Sequence, residues 1–320
     1  MPPAIMLPAD AAGIARAAQA LRSGDVVAFP TETVYGLGAD ATRDDAVAKI
    51  YAVKDRPEFN PLIIHVDAAE KLDRYIIWNA PARLLAARFW PGPLTLVLPT
   101  HADCPISLLA RAGLPSLAVR VPSHPVARAL LEAVDLPLAA PSANRSGSLS
   151  PTTPMHVHAS LGDRINFILA AGRAQIGVES TILDLTGQQP ALLRPGGTSV
   201  EQIEQCLGHP IAAGAIDPAH PTAPGQMLRH YAPTRPLRLN ITIARTDEAF
   251  IMFGPELGLR GGATRRNLSP TGDLNEAAAQ LFSVLHECDA LDCGGIAVAP
   301  IPEIGLGRAI NDRLRRAATP

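Results

Sequence analysis

The sequence predicts an α/β protein in two globular parts. Three observations lead there. Helical and strand-like segments alternate through the first two thirds of the chain, without the regular spacing of a doubly wound sheet. A stretch dense in Pro, Gly, Ala and His then interrupts all periodicity, and a compact α/β tail follows it. At 320 residues, 47% of them hydrophobic, the chain is long enough for two cores.

Asp10 to Arg22 is alanine-rich, with Ile14, Ala18 and Leu21 on one stripe, which predicts a helix stopped by Gly24. Val26 to Phe29 reads as a short buried strand ending at Pro30. Asp44 to Val53 predicts a second helix and Leu62 to Val66 a second strand. Ala82 to Trp90 is helical up to the Pro91-Gly92-Pro93 break, and Leu94 to Leu98 and Leu117 to Val121 are strands. His124 to Val134 is a helix, Leu138 to Ala140 a short strand and Ser199 to Leu207 a helix. After Gly208 to Pro236, Leu237 to Ile243 is a strand, Asn275 to Glu287 an amphipathic helix, Gly295 to Ala299 a strand and Arg308 to Ala317 a closing helix. The predicted division is a domain over 1–208, a linker over 209–236 and a second domain over 237–320.

Composition removes several classes of function. A net charge of −2 supplies no global positive field for nucleic acid, and 4% aromatic residues offer no repeated base-stacking surface. Cys104, Cys206, Cys288 and Cys293 are scattered, which indicates neither a zinc site nor a disulfide framework and fits a reducing cytoplasm. The N-terminus has no secretory pattern, and no run approaches the ~20 apolar residues of a membrane span. G-x-x-x-x-G-K-[ST], G-x-S-x-G and H-E-x-x-H are all absent, and His156-x-His158 lacks partners for a metal.

Polar residues cluster at the ends of the predicted strands. Pro30-Thr31-Glu32-Thr33-Val34-Tyr35-Gly36-Leu37-Gly38 packs hydroxyls, a carboxylate and permissive glycines directly after one; it reads either as a ligand loop or as a polar turn. Lys54-Asp55-Arg56, leading to Asn60-Pro61, places two cations at a helix end, suited to phosphate or to the helix dipole itself. His65 closes an apolar run. Arg120 lies inside a hydrophobic strand and needs an anion there, either a bound carboxylate or an internal Asp or Glu. Ser142, Asn144 and Ser150 follow a strand end, Ser180 opens a strand, and Arg194 closes one. Within the linker, Arg229-His230-Tyr231-Ala232-Pro233 carries more functional groups than a spacer needs. Such a set suits binding and positioning of a nucleotide better than covalent catalysis.

In order, Pro30 to Leu37, Lys54-x-Arg56-Pro57 with Asn60-Pro61-Leu62, Pro91-Gly92-Pro93-Leu94-Thr95, Val119-Arg120-Val121-Pro122, Pro141-Ser142-Ala143-Asn144-x-Ser146-Gly147, Ser180-Thr181-Ile182 and Leu193-Arg194-Pro195-Gly196 resemble the YrdC-like family. The Arg229 to Pro233 segment and a tail containing Gly305-Leu306-Gly307-Arg308-Ala309-Ile310-Asn311-Asp312-Arg313-Leu314 resemble the two-domain threonylcarbamoyl-AMP synthases. One departure stands out: Met227 occupies a linker position where that family carries lysine.

The resemblance implies a YrdC-like twisted mixed sheet with helices, plus a smaller Rossmann-like α/β C-terminal domain. It implies an enzyme that condenses L-threonine, bicarbonate and ATP, with Mg2+, to threonylcarbamoyl-AMP and pyrophosphate. The product would pass to a tRNA threonylcarbamoyl transferase. Thr33, His65, Arg120, Ala140 and Ser180 would bind threonine. Arg56, Asn60, Ser116, Ser142, Asn144, Ser150, Arg194 and Tyr231 would bind ATP, with Lys54 and Arg56 neutralising charge during reaction. Two other readings stay open at this point: a module binding double-stranded RNA, and carbamoyl transfer to another acceptor.

Overall fold

A computed structural model describes residues 3–214, 221–224 and 229–319. Of the predicted linker, residues 215–220 and 225–228, Met227 included, lie outside the described residues. The chain runs β1 (Ile5–Pro8), α1 (Ala11–Arg22), β2 (Val27–Phe29), β3 (Gly36–Asp40), α2 (Asp44–Lys54), β4 (Ile63–His65), α3 (Ala80–Phe89), β5 (Leu94–Pro99), β6 (Ser116–Arg120) and α4 (Pro125–Val134). It continues through β7 (Leu138–Ala139), α5 (Pro154–Leu161), β8 (Phe167–Ala170), β9 (Thr181–Asp184), β10 (Ala191–Arg194), α6 (Val200–Leu207) and β11 (Ala212–Ala213). The tail holds β12 (Leu237–Arg238), β13 (Glu248–Met252), β14 (Thr264–Asn267), α7 (Leu274–Asp289), β15 (Gly295–Val298) and α8 (Leu306–Ala317).

Helix ends follow local chemistry. Asp10 caps α1 by accepting from the Gly13 N–H, and Asp55 ends α2 in the left-handed region. Ser199 and Gln202 form a reciprocal capping box on α6, which Gly208 closes.

Strands β1 to β11 form a mixed sheet in the order β1-β8-β2-β3-β7-β4-β6-β5-β9-β10-β11. Its two faces are treated differently. One carries the large core that includes Ile50, Tyr51, Ile64, Leu85, Leu96 and Val119. On the other, α1 and α4 cover Phe29, Leu138 and Ala140. Farther across that second face, Ala223 of the linker covers Ile63, Val97, Ala118, Ile182 and Leu193. Between helical cover and linker cover lies a strip of sheet carrying His65 and Arg120, which pair directly across β4 and β6. That strip is the floor of the site.

The tail forms an all-parallel four-stranded sheet, β12-β15-β13-β14. Helices α7 and α8 supply Leu281, Phe282, Ile310 and Leu314 to a core that also takes in Val34, Leu149, Val178 and Tyr231 from outside the tail. The two sheets therefore share a packed boundary. At Gly177, φ is 77° and a Cβ would stand 2.3 Å from the Ala278 carbonyl oxygen, so only glycine lets that loop approach α7.

Two sequence expectations need correction. Gly36-Leu37-Gly38 is a strand, antiparallel to β2, and not a ligand turn. Gly38 is small because a Cβ there would meet the Phe29 ring at 2.8 Å. The strand predicted over Leu237 to Ile243 stops at Arg238, since Asn240 enters the left-handed region at φ 58°.

Candidate functional site

The second face of the large sheet holds a narrow cavity, with about 50 Å3 open to the centre of a water-sized sphere. Its wall includes Thr33, His65, Arg120, Ala140 and Ser180, the five residues expected to hold threonine. Arg56, Ser142, Arg194 and Tyr231 complete the expected part, and Glu179, Pro224 and His230 join them.

Arg120 is the floor's cation and is buried. Its Nη2 donates to Glu32 Oε1 at 2.6 Å, its Nη1 to Thr33 Oγ1 at 3.0 Å and its Nε to the Gly92 carbonyl at 3.1 Å. Of the two partners the sequence left open, the internal carboxylate is the one present. Burial opposes ionisation of Glu32, but the charge and hydrogen bond of Arg120 outweigh it and hold the carboxyl below its ordinary range. His65 places Nδ1 3.2 Å from the Ile63 carbonyl, which can only accept, so Nε2 is left as an acceptor. Burial, aided by the neighbouring Arg120, pushes His65 down to about 3, and the imidazole is neutral at pH 7.

Arg56 and Arg194 also line the cavity. Arg56 donates to the Asn60 and Pro61 carbonyls, and Arg194 to the carbonyls of Ser180 and Pro224 and to Ser180 Oγ. Burial lowers both, Arg56 to about 10. Among the described residues no carboxylate forms an ion pair with either one. The hydrogen bonds described for these two buried guanidiniums go to neutral oxygens, which leaves their charge available to an anion.

Five expected residues stand off the wall. Lys54 is fully buried behind it, where Nζ donates to the Ser142 carbonyl at 2.6 Å and to that of Asn144. It therefore shapes the Ser142–Asn144 loop rather than facing the cavity, and burial, with Arg56 adding to it, drives its pKa well down. Asn144 Nδ2 ties down its own loop through the Arg145 and Ser148 carbonyls. Ser150 donates to Glu179, and Asn60 lends its carbonyl to Arg56 and Tyr51. Ser116 begins β6, four residues and ~13 Å of strand away from Arg120.

Several residues of the site were not singled out from sequence. Arg313, from α8 of the tail, donates through Nε to Glu179 Oε2 at 2.6 Å and lies 5.0 Å from the Tyr231 ring centroid. Its signal was readable: Ile310, Arg313, Leu314 and Ala317 share one buried helical stripe, and a cation on such a stripe needs a partner. Buried atoms without a described partner gather here too, at Glu32 Oε2, Asn144 Oδ1, His230 Nδ1 and Arg313 Nη2.

Comparison with known proteins agrees with this geometry. The Sua5/YciO/YrdC family model, described as telomere recombination, matches residues 19–196, and the model "Threonylcarbamoyl-AMP synthase, C-terminal domain" matches residues 198–319. The chain belongs to the two-domain threonylcarbamoyl-AMP synthases. It is 41% identical to the threonylcarbamoyl-AMP synthase of Pyrococcus abyssi, over 94% of this chain and 93% of that one. Against the Bacillus subtilis threonylcarbamoyl-AMP synthase it is also 41% identical, over 95% and 92%. The crystal structure of P. abyssi Sua5 with L-threonine superposes with a TM-score of 0.90 at 37% identity, covering 98% of this chain and 97% of that one. The family's large mixed sheet and smaller parallel sheet are both present. No helix among the described residues is long and apolar enough to cross a membrane.

Histidines with lowered pKa, in the cavity and at the boundary with α7, also set an acid limit on the fold. Burial is the main cause in each case: His65 is pushed to about 3 and His156 to about 4, while His124, His230 and His286 are also lowered. His156 and His286 stack at 4.0 Å across the boundary with α7. A histidine depressed in the folded state stabilises fully above its unfolded pKa of ~6.5 and loses that contribution as pH falls toward the folded value. The thermal midpoint should therefore be flat above pH 7 and fall steadily between pH 6.5 and 4.5. His65, which is buried and held to about 3, removes about 1.4 kcal/mol per pH unit across this range. A midpoint constant across that range in scanning calorimetry would show that the imidazoles are not held neutral.

Proposed function

We propose that the cavity condenses L-threonine, bicarbonate and ATP to threonylcarbamoyl-AMP. The observation that carries this reading is the pair of buried guanidiniums, Arg56 and Arg194, which form no ion pair with a carboxylate among the described residues and line the same cavity as the residues expected to hold threonine. They are placed to receive the phosphates. Threonine's amine attacks the bicarbonate carbon, and water leaves as the N-carboxylate forms. A carboxylate oxygen then attacks the α-phosphorus of ATP and pyrophosphate departs. Positioning and charge neutralisation are the main aids this site offers.

Ser142, Asn144 and Ser150 shape the nucleotide side of the pocket, with Lys54 holding its loop. Tyr231 and His230 cover it, and a cavity this narrow requires the linker to move before ATP enters. The described residues hold no group of three His, Cys, Asp or Glu for a metal, and Glu179 spends its oxygens on Ser150 and Arg313. Mg2+ would enter with the ATP phosphates and help neutralise their charge, beside Arg56 and Arg194. The proposed division gives catalysis to residues 1–208, cover to 209–236 and support of that cover to 237–320. The cysteines are free, in keeping with a cytoplasmic enzyme whose product goes to a tRNA-modifying transferase.

Pyrophosphate release from ATP is the test. It should require both L-threonine and bicarbonate, be weak with serine, and fall at least tenfold in Arg56→Ala and Arg194→Ala, as lost charge-assisted contacts imply. Release independent of threonine would defeat the proposal.

A further inference from the structure

This inference deepens the proposed function and rests on its reading of the cavity as the threonine site. Glycine weakens a strand, through entropy and the lack of a side chain to pack, so a buried one there answers to some local demand. Gly36 opens β3, pairs with Phe29 of β2, bridges to Ser142 and lines the cavity. We infer that Gly36 sets the choice of amino acid: bare beside Ala140, it leaves the notch that receives the methyl group of threonine and so favours threonine over serine.

The two demands that a fold can make on glycine are both absent at this position. The φ of Gly36 is not positive, unlike that of Gly24 or Gly177. A Cβ built on it would stand 3.5 Å from the Ala140 Cβ and 3.6 Å from the Phe29 ring, ordinary van der Waals distances. At Gly196, by contrast, a Cβ would lie 2.3 Å from the Glu179 carbonyl oxygen. Among the described residues Gly36 is the one buried glycine with neither a positive φ nor a Cβ contact under 3.4 Å. The fold accepts alanine there, so the space left by the missing methyl serves the cavity.

The chemistry of that corner selects what fills it. Ala140 stands next to Gly36, and the Ala140 N–H is spent on the Ile63 carbonyl at 2.9 Å. The Leu37 N–H is spent on the Pro141 carbonyl at 2.8 Å. Ala140 and Ile63 give the cavity only apolar side chains, whereas Arg120, His65, Thr33 and Ser180 carry hydrogen-bonding groups suited to a carboxylate, an amine and a hydroxyl. The one group of threonine that needs none of these is its methyl, which is also all that distinguishes it from serine. In a fitted apolar pocket such a group is worth roughly 10–200-fold in selectivity.

Isothermal titration of L-threonine and L-serine into the full-length protein tests this. Gly36→Ala should keep a thermal midpoint at or above that of the wild type, because alanine in a permitted conformation restricts the unfolded chain. It should weaken threonine about tenfold or more, as an overfilled pocket does, with serine changed by less than about threefold. The preference for threonine then shrinks or reverses. Ala140→Gly removes the methyl that borders the notch and should act the other way. It should improve L-3-hydroxynorvaline, one methylene longer than threonine, by about tenfold relative to threonine. A Gly36→Ala protein that melts well below the wild type would show that the fold requires the glycine and would overturn the inference. Equal losses of threonine and serine in that variant, or an unchanged ratio of hydroxynorvaline to threonine in Ala140→Gly, would overturn it as well. Absence of threonine binding by the wild type would instead overturn the reading of the cavity as the threonine site.

Discussion

Arg313→Ala should cost about 3–5 kcal/mol of stability and abolish most threonine-dependent pyrophosphate release, although Arg313 belongs to the tail. The reason is what it leaves behind. Arg313 is fully buried, and its loss strands the Glu179 carboxylate, 7% exposed, with Ser150 as its remaining described hydrogen-bond donor. The Tyr231 ring loses the guanidinium beneath it and keeps only His230 and Phe282 as aromatic neighbours. Both consequences fall on the cavity wall, so the cover over the nucleotide loses its support. Calorimetry and the pyrophosphate assay check the two halves separately. The double variant Glu179→Gln, Arg313→Met should recover much of the stability, since the Glu179 carboxylate is no longer left without its guanidinium and Asp312 keeps Arg316, while activity stays low. Wild-type stability and turnover in Arg313→Ala would show that the tail does not support the site.

That residue marks where sequence reading stops. Arg313 and Glu179 are 134 positions apart, and nothing local to either names the other. The same holds for Glu32 and Arg120, where the sequence established that an anion was needed but not which. Long-range pairing of charges is a tertiary fact. By contrast, Thr33, His65, Arg120 and Ser180 were legible as polar groups at strand ends, and with Ala140 they line one cavity.

The fold was readable where periodicity was strong and silent where it was not. Amphipathic stripes gave α1, α4, α7 and α8 to within a few residues. Strand β14, Thr-Arg-Arg-Asn, has its two arginines exposed at the sheet edge, so no alternation betrays it. Strand β3 was hidden by its glycines, which looked like a turn and in fact make room for Phe29. Strands β1, β8 and β13, four or five residues long, were not read from the sequence.

Arg120→Ala offers the sharpest separation of binding from folding. If Arg120 served only a substrate carboxylate, its loss would raise KM for threonine and leave stability alone. With Glu32 at 2.6 Å and both side chains under 5% exposed, the variant should instead lose about 3–5 kcal/mol as well. The pH dependence carries the signature. In the wild type Glu32 is held low, so its contribution is present above the ordinary carboxylate pKa and is lost as pH falls through the depressed value. Without Arg120, burial is opposed only by the backbone N–H groups of Glu32 and Ser123, the carboxyl moves up from its wild-type position, and the variant is relieved by protonation. The stability gap between the two proteins should therefore narrow as pH falls from 7 toward 5. Glu32→Gln with Arg120→Met should close most of the gap at pH 7 yet keep the raised threonine KM, because the cavity floor still lacks its cation. A gap that stays constant with pH would mean that Glu32 does not depend on Arg120 for its charge.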